Sequence, residues 1–248
     1  MKLIIIRHGD PDYVNDSLTE KGRREAELLA DRVSKMKIDR IYVSPLGRAR
    51  ATMEAYLNKM DKEGIKYPDP ITIDWLREFP TLINRPDKTE KKSICWDWMP
   101  DDWTGVDEFY DFKRWMDHPV FKEADVESEI RKVCEGFEEL LKELGYVRYE
   151  RYFKVERPNN DTIVFFCHFG LECVLLSYLL NIPLMLIWHG FIAAPTAVTT
   201  IYTEERREGK AYFRVSAFGD TSHLYIADEP PAFSGRFCEC FTNEDERH

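Results

Sequence analysis

Two histidines open the question of chemistry. His8 follows the apolar run of MKLIIIRHGD, His168 follows that of DTIVFFCHFG, and each is followed within two positions by a glycine. Arg7 stands beside His8, and Arg48 lies in SPLGRARA. A phosphoryl group carries a charge of roughly −2 near neutral pH, and an arginine fork matches its oxygens bidentately. One histidine at the end of one apolar strand would be an ordinary core residue. Two of them with matched arginines point instead to a phosphate pocket.

For these side chains to meet, the elements that carry them must end at one edge of a sheet. LIIIRHG is a continuous apolar run of the kind that forms a strand buried on both faces. SLTEKGRREAELLADRVSKM follows, with a Ser17-x-x-Glu20 capping pattern and then Ala26, Leu29, Ala30, Val33 and Met36 at helical spacing. Ile41 to Val43 predict a short strand, and Ser44-Pro45 a helix start that puts Arg48 in or next to the first turn. ITIDWLREF reads as a further strand running into a loop. TIVFFC is another strand, and LECVLLSYLL after His168 is a buried helix. Three strands, ending at His8, Ser44 and His168, thus run into loop and helix, and ligands of such sheets bind outside the strands' C-terminal ends.

VESEIRKVCEGFEELLKEL has helical periodicity, and AAPTAVTTIYTEE and KAYFRVSAFGDTSHL read as two late strands joined by RREG. The alternation predicts one α/β domain over residues 1–248, a three-layer sandwich with a mostly parallel central sheet and helices on both faces. A cap rich in tryptophan and proline is inserted at about 80–125, its tryptophans expected in its core, and a mobile tail is expected at about 240–248.

The net charge of −10 argues against nucleic acid and anionic membranes as partners, so any bound anion needs a local positive cluster. No apolar run approaches the roughly 20 residues of a membrane-spanning helix, and the start lacks a secretory cleavage pattern. Cys95, Cys134, Cys167, Cys173, Cys238 and Cys240 are too scattered for a disulfide scaffold, which favours a reducing cytoplasm. No metal site is expected, because Cys238 and Cys240 lack further ligands nearby.

Arg7-His8-Gly9, Leu18-Thr19-Glu20-Lys21-Gly22, Ser44-Pro45-Leu46-Gly47-Arg48-Ala49 and the late His168, in this order, resemble the histidine phosphatase superfamily in its phosphoglycerate-mutase-like branch. GDTSHL at 219–224 resembles the family's ending, and 80–160 lies outside the likeness. The resemblance implies a phosphoglycerate mutase-like fold and a phosphomonoesterase that needs no cofactor or metal and acts on a small phosphorylated substrate. His8 would be the nucleophile that becomes a phosphohistidine, with Arg7, Arg48 and His168 on the phosphoryl oxygens and Asn15 as an added neutral donor. Glu78 matches the position of the general acid, although PTLINRP stands where a glycine-tryptophan-glutamate pattern often follows; Asp10 and Glu172 are competing carboxylates. Phe169 rather than aspartate follows His168, which excludes the phytase-like branch. A phosphoglycerate-type mutase shares the same motifs and is the alternative, hydrolysis being preferred because the cap does not resemble the mutase's own insertion. A noncatalytic phosphate-binding protein is the reading from another class.

Overall fold

The computed structural model describes residues 1–88 and 92–243. The opening apolar run forms β1 (Lys2–Arg7), buried from Leu3 onward. A short hairpin of β2 (Pro11–Asp12) and β3 (Ser17–Leu18) leads into α1 (Glu20–Val33), which buries Ala26, Leu29, Ala30 and Val33. The capping residue is Thr19, not Ser17: pairing with Pro11–Asp12 keeps Ser17 extended, and the Thr19 side chain accepts the Gly22 N–H.

β4 (Arg40–Val43) and α2 (Gly47–Glu63) follow, then β5 (Ile71–Thr72). The strand expected in ITIDWLREF is only these two residues. Both are exposed on the sheet's edge, where strands are commonly short, and the chain turns into a 3₁₀ segment at Asp74–Leu76. The inserted region contains β6 (Leu82–Ile83) paired with β7 (Ser93–Ile94), then α3 (Pro100–Trp103) and α4 (Pro119–Glu123). Next come α5 (Val126–Glu143), β8 (Tyr146–Tyr149), β9 (Tyr152–Val155), β10 (Thr162–Cys167), α6 (Phe169–Leu180) and α7 (Leu184–Gly190). The long hairpin of β11 (Val198–Arg207) and β12 (Lys210–Asp220) precedes α8 (Ser222–Ile226).

The main sheet has the order β5-β4-β10-β1-β11-β12-β9-β8. Strands β5, β4, β10 and β1 are parallel, and the half from β11 to β8 is antiparallel. In the parallel half Arg7 lies opposite Cys167 and Phe166 opposite Val43, so the chain leaves all three central strands at the same edge. There His8, His168 and Ser44 meet.

The continuous hydrophobicity of β1 and β10 has its physical reason in the layers. Ile4, Ile6, Val164 and Phe166 pack with Leu29 and Val33 of α1 and Met53 and Tyr56 of α2 on one face. Leu3, Ile5, Ile163 and Phe165 pack on the other with Phe137 and Leu141 of α5 and with α6. The aromatic side chains of the insertion join this second core: Trp98, Phe109, Trp115 and Phe121 are buried, and Trp115 meets Trp188 of α7 edge-on with ring centroids 5.7 Å apart. Burial of each such side chain is worth roughly 1.5–3 kcal/mol, enough to hold a segment with little regular structure. Of the tail expected to be mobile, 244–248 lies outside the described residues.

Candidate active site

His8 is 2% exposed, and its ring is oriented from both sides. Nδ1 lies 2.7 Å from the carbonyl oxygen of Gly9, which can only accept, so Nδ1 carries the proton. Nε2 is then the lone-pair nitrogen, and Arg48 Nε donates to it at 3.3 Å. Burial, followed by the charge of Arg7, holds the His8 pKa well below the ordinary histidine value. The ring is thus neutral, in one tautomer, with its nucleophilic nitrogen next to a guanidinium.

The loop that aims His8 depends on a close backbone crossing. A Cβ on Gly9 would stand 2.7 Å from Gly22 O, and one on Gly22 would stand 2.2 Å from Asp10 O. This is why glycine is needed both after His8 and at the start of α1. Thr52 Oγ1 on α2 accepts from the Gly9 N–H at 2.9 Å and donates to Arg48 O at 2.8 Å, tying the His8 loop to the helix that carries Arg48.

Arg48 lies in the first turn of α2, as expected. Asp16 orients it, accepting from Arg48 Nη1 at 2.7 Å and from the Gly47 N–H at 2.6 Å. His168 is fully buried, and its ring centroid is 5.0 Å from that of His8. Ser44 does not cap α2 through its side chain at the N-cap position, which Leu46 occupies. Its Oγ accepts from the Leu46 N–H at 3.2 Å and sits 2.7 Å from His168 Nε2. His168 Nδ1 is buried and has no protein partner, and the same is true of Arg7 Nε. Of the two, Arg7 Nε is always a donor and suits a ligand oxygen.

Glu78 is half-buried next to the 3₁₀ turn. Its Oε1 accepts from the Phe79 N–H at 2.9 Å and from the Leu171 N–H in the first turn of α6 at 3.1 Å. Burial raises its pKa against the opposing pull of these bonds and of Arg7 and Arg48. A Cβ on Gly170 would lie 2.8 Å from Glu78 Oε1 and 2.4 Å from the Trp96 ring, so this tryptophan of the insertion packs against the same spot as the carboxylate. Glu172 is buried deeper, at 1% exposure, and burial pushes its pKa up to about 7. Asp10 accepts from Thr19 Oγ1 at 2.7 Å. Asn15 stands apart from the set: it is exposed, and its amide donates to Asp12 Oδ2 at 2.7 Å.

Residues 3–92 match the family model described as histidine phosphatase superfamily (branch 1). Over that segment, which is the part that carries His8 and Arg48, the chain is similar to the histidine phosphatase superfamily. Two curated relatives are similar to it in sequence. Phosphoserine phosphatase 1 of Hydrogenobacter thermophilus is 26% identical over 216 residues, covering 84% of this chain and 89% of its own. A protein of Schizosaccharomyces pombe named as a probable phosphatase is 38% identical over 80 residues, 29% of this chain and 38% of its own length. The fold of this chain is also that of a solved mutant phosphoserine phosphatase from Entamoeba histolytica in complex with phosphoserine. That structure matches with a TM-score of 0.54 and 23% identity over 90% of this chain and 98% of the other.

Ser44, Thr52, Asp16 and Glu25 serve the site without having been singled out for it by sequence. Glu25 is fully buried, accepting from the Asp10 N–H at 3.1 Å and the Ala232 N–H at 2.8 Å. Its signal was available: it falls one turn before Leu29 on the buried stripe of α1, where a charged residue is out of place unless it is paired.

Proposed function

We propose that this chain hydrolyses the phosphomonoester of a small molecule through a phosphohistidine on His8. The observation that supports this most strongly is the state of His8: neutral, with Nδ1–H held by Gly9 O and the Nε2 lone pair turned to Arg48 Nε. Nε2 attacks phosphorus, the bond from phosphorus to the ester oxygen breaks, and the alcohol leaves with a proton from Glu78. Arg7, Arg48 and His168 hold the three equatorial oxygens while charge spreads over them. Glu78, now a carboxylate, takes a proton from water as the water oxygen attacks phosphorus. The N–P bond then breaks, leaving inorganic phosphate and the neutral imidazole. The raised pKa of Glu78 suits a group that must begin as an acid near neutrality.

We assign the chain to the cytoplasm on the strength of its six unpaired cysteines. Among the described residues no helix is long and apolar enough to cross a membrane.

Rapid quenching after mixing with a ³²P-labelled phosphomonoester tests the mechanism. Wild type should retain acid-labile, alkali-stable label on His8. His8→Ala should stay folded and retain neither label nor turnover. Turnover by that variant, or label that survives acid, would remove His8 as nucleophile. A panel of phosphometabolites that includes phosphoserine then identifies the substrate.

A further inference from the structure

Beyond α8 the chain turns back toward the catalytic edge. Lys21 Nζ donates to Glu229 Oε1 at 2.8 Å and to Pro230 O at 2.5 Å, which fastens the start of this segment to α1. Ala232 is buried, and its N–H donates to Glu25, the same carboxylate whose other oxygen holds the Asp10 N–H behind His8. Two residues later Ser234 O accepts from Arg7 Nη1 at 3.0 Å. Gly235 then comes close against the guanidinium: its φ is +88°, and a Cβ would stand 2.7 Å from Arg7 Nη1 and 2.9 Å from Nη2.

Arg7 Nη1 also donates to Ala193 O at 2.6 Å, so both of its protons are taken by main-chain carbonyls. Two acceptors on one terminal nitrogen fix the guanidinium plane. Nε, buried and without a partner, is left for a ligand.

We propose that residues 229–235 form a strap that positions Arg7 for the phosphoryl group, with the Ser234 carbonyl and the bare backbone of Gly235 setting the orientation of its fork. The inference rests on the phosphatase reading above. Glu25 is the clamp between the two halves of the device, since it bonds the His8 loop and the strap at once. A strap with this role raises phosphoryl affinity because the fork is held ready before the ligand arrives. A strap that merely covers the pocket would lower it.

The test uses the full-length protein, orthovanadate as the phosphoryl mimic and p-nitrophenyl phosphate as substrate. Gly235→Ala should weaken vanadate binding ~10-fold and raise KM, because the new methyl pushes the guanidinium out of plane. Ala232→Pro, which deletes the N–H that Glu25 holds, should act in the same direction by a separate route. In an Arg7→Lys background the Gly235→Ala substitution should add less than ~2-fold, since the strap then has no fork to orient. Equal or tighter vanadate binding by Gly235→Ala, or full additivity with Arg7→Lys, overturns the strap. A wild type that neither hydrolyses the substrate nor binds vanadate overturns the phosphatase reading, and this inference with it.

Discussion

Glu78 carries the clearest test at the scale of single residues, because the need for an acid depends on the leaving group. An alkyl alcohol leaves as a strongly basic alkoxide, whereas a nitrophenolate departs without a proton. Glu78→Gln should slow alkyl phosphates by ~10²–10⁴-fold and p-nitrophenyl phosphate far less. An equal loss on both substrates would transfer the role to Glu172 or Asp10, whose amide variants are the next to measure. The histidines set the acid limb. Burial and the neighbouring arginines depress the pKa of His8, and burial and His8 depress that of His168. The kcat/KM profile of the free enzyme should therefore show no loss at the ordinary histidine value near 6.5, and fall only at lower pH. A limb at 6.5 that disappears with His168→Gln would show that the pocket does not hold these rings neutral.

Among the elements, the insertion matters most for the carboxylate. Trp96 reaches across from the segment after β7 and meets Gly170 beside Glu78, while Trp188 of α7 backs it with ring centroids 5.6 Å apart. An apolar ring against a carboxyl withholds water and favours the protonated form. Trp96→Ala should therefore lower the basic limb of kcat/KM for an alkyl phosphate by a measurable fraction of a pH unit to ~1 unit, with the histidine limb unmoved. An unchanged basic limb would mean that Glu78 owes its raised pKa to the scaffold alone. The first turn of α6, which Trp96 meets at Gly170, also supplies the Leu171 N–H that fixes Glu78 Oε1.

For the molecule as a whole, the same burial that prepares the site costs stability. Glu25 and Glu172 are both raised from 4.5 to about 7 by burial. A folded-state pKa above the unfolded one gives stability that is full below pH 4.5 and lost as pH rises through about 7. For Glu172 the loss is on the order of 3 kcal/mol. Melting temperature should accordingly fall between pH 4.5 and 8 more steeply in wild type than in Glu172→Gln, after comparison at equal salt. Parallel curves would mean that the carboxylate is solvated or charge-compensated in the folded protein. The depressed histidines act with the opposite sign, their contribution being present above pH 6.5 and lost as pH falls.

By itself the sequence determined the strand ends and what stands on them. The apolar runs Leu3–Ile6 and Ile163–Cys167 suit strands covered on both faces, and the stripe of α1 and the buried helix after His168 supply those covers. That order already brought Arg7, His8, Arg48 and His168 to one edge. Tertiary structure decided everything that depends on contacts between distant segments. Ser44 Oγ meets His168 at the end of the neighbouring β10 as well as the Leu46 N–H, and a capping pattern could not reveal the first of these contacts. Asn15 is exposed, its amide donating to Asp12 within the same short hairpin loop, a pairing that motif position does not report. The hold of Ser234 and Gly235 on Arg7 joins the two ends of the chain, and no local pattern encodes it. Periodicity reports which face of an element is buried, while a polar contact is specified only once the partner's backbone has arrived.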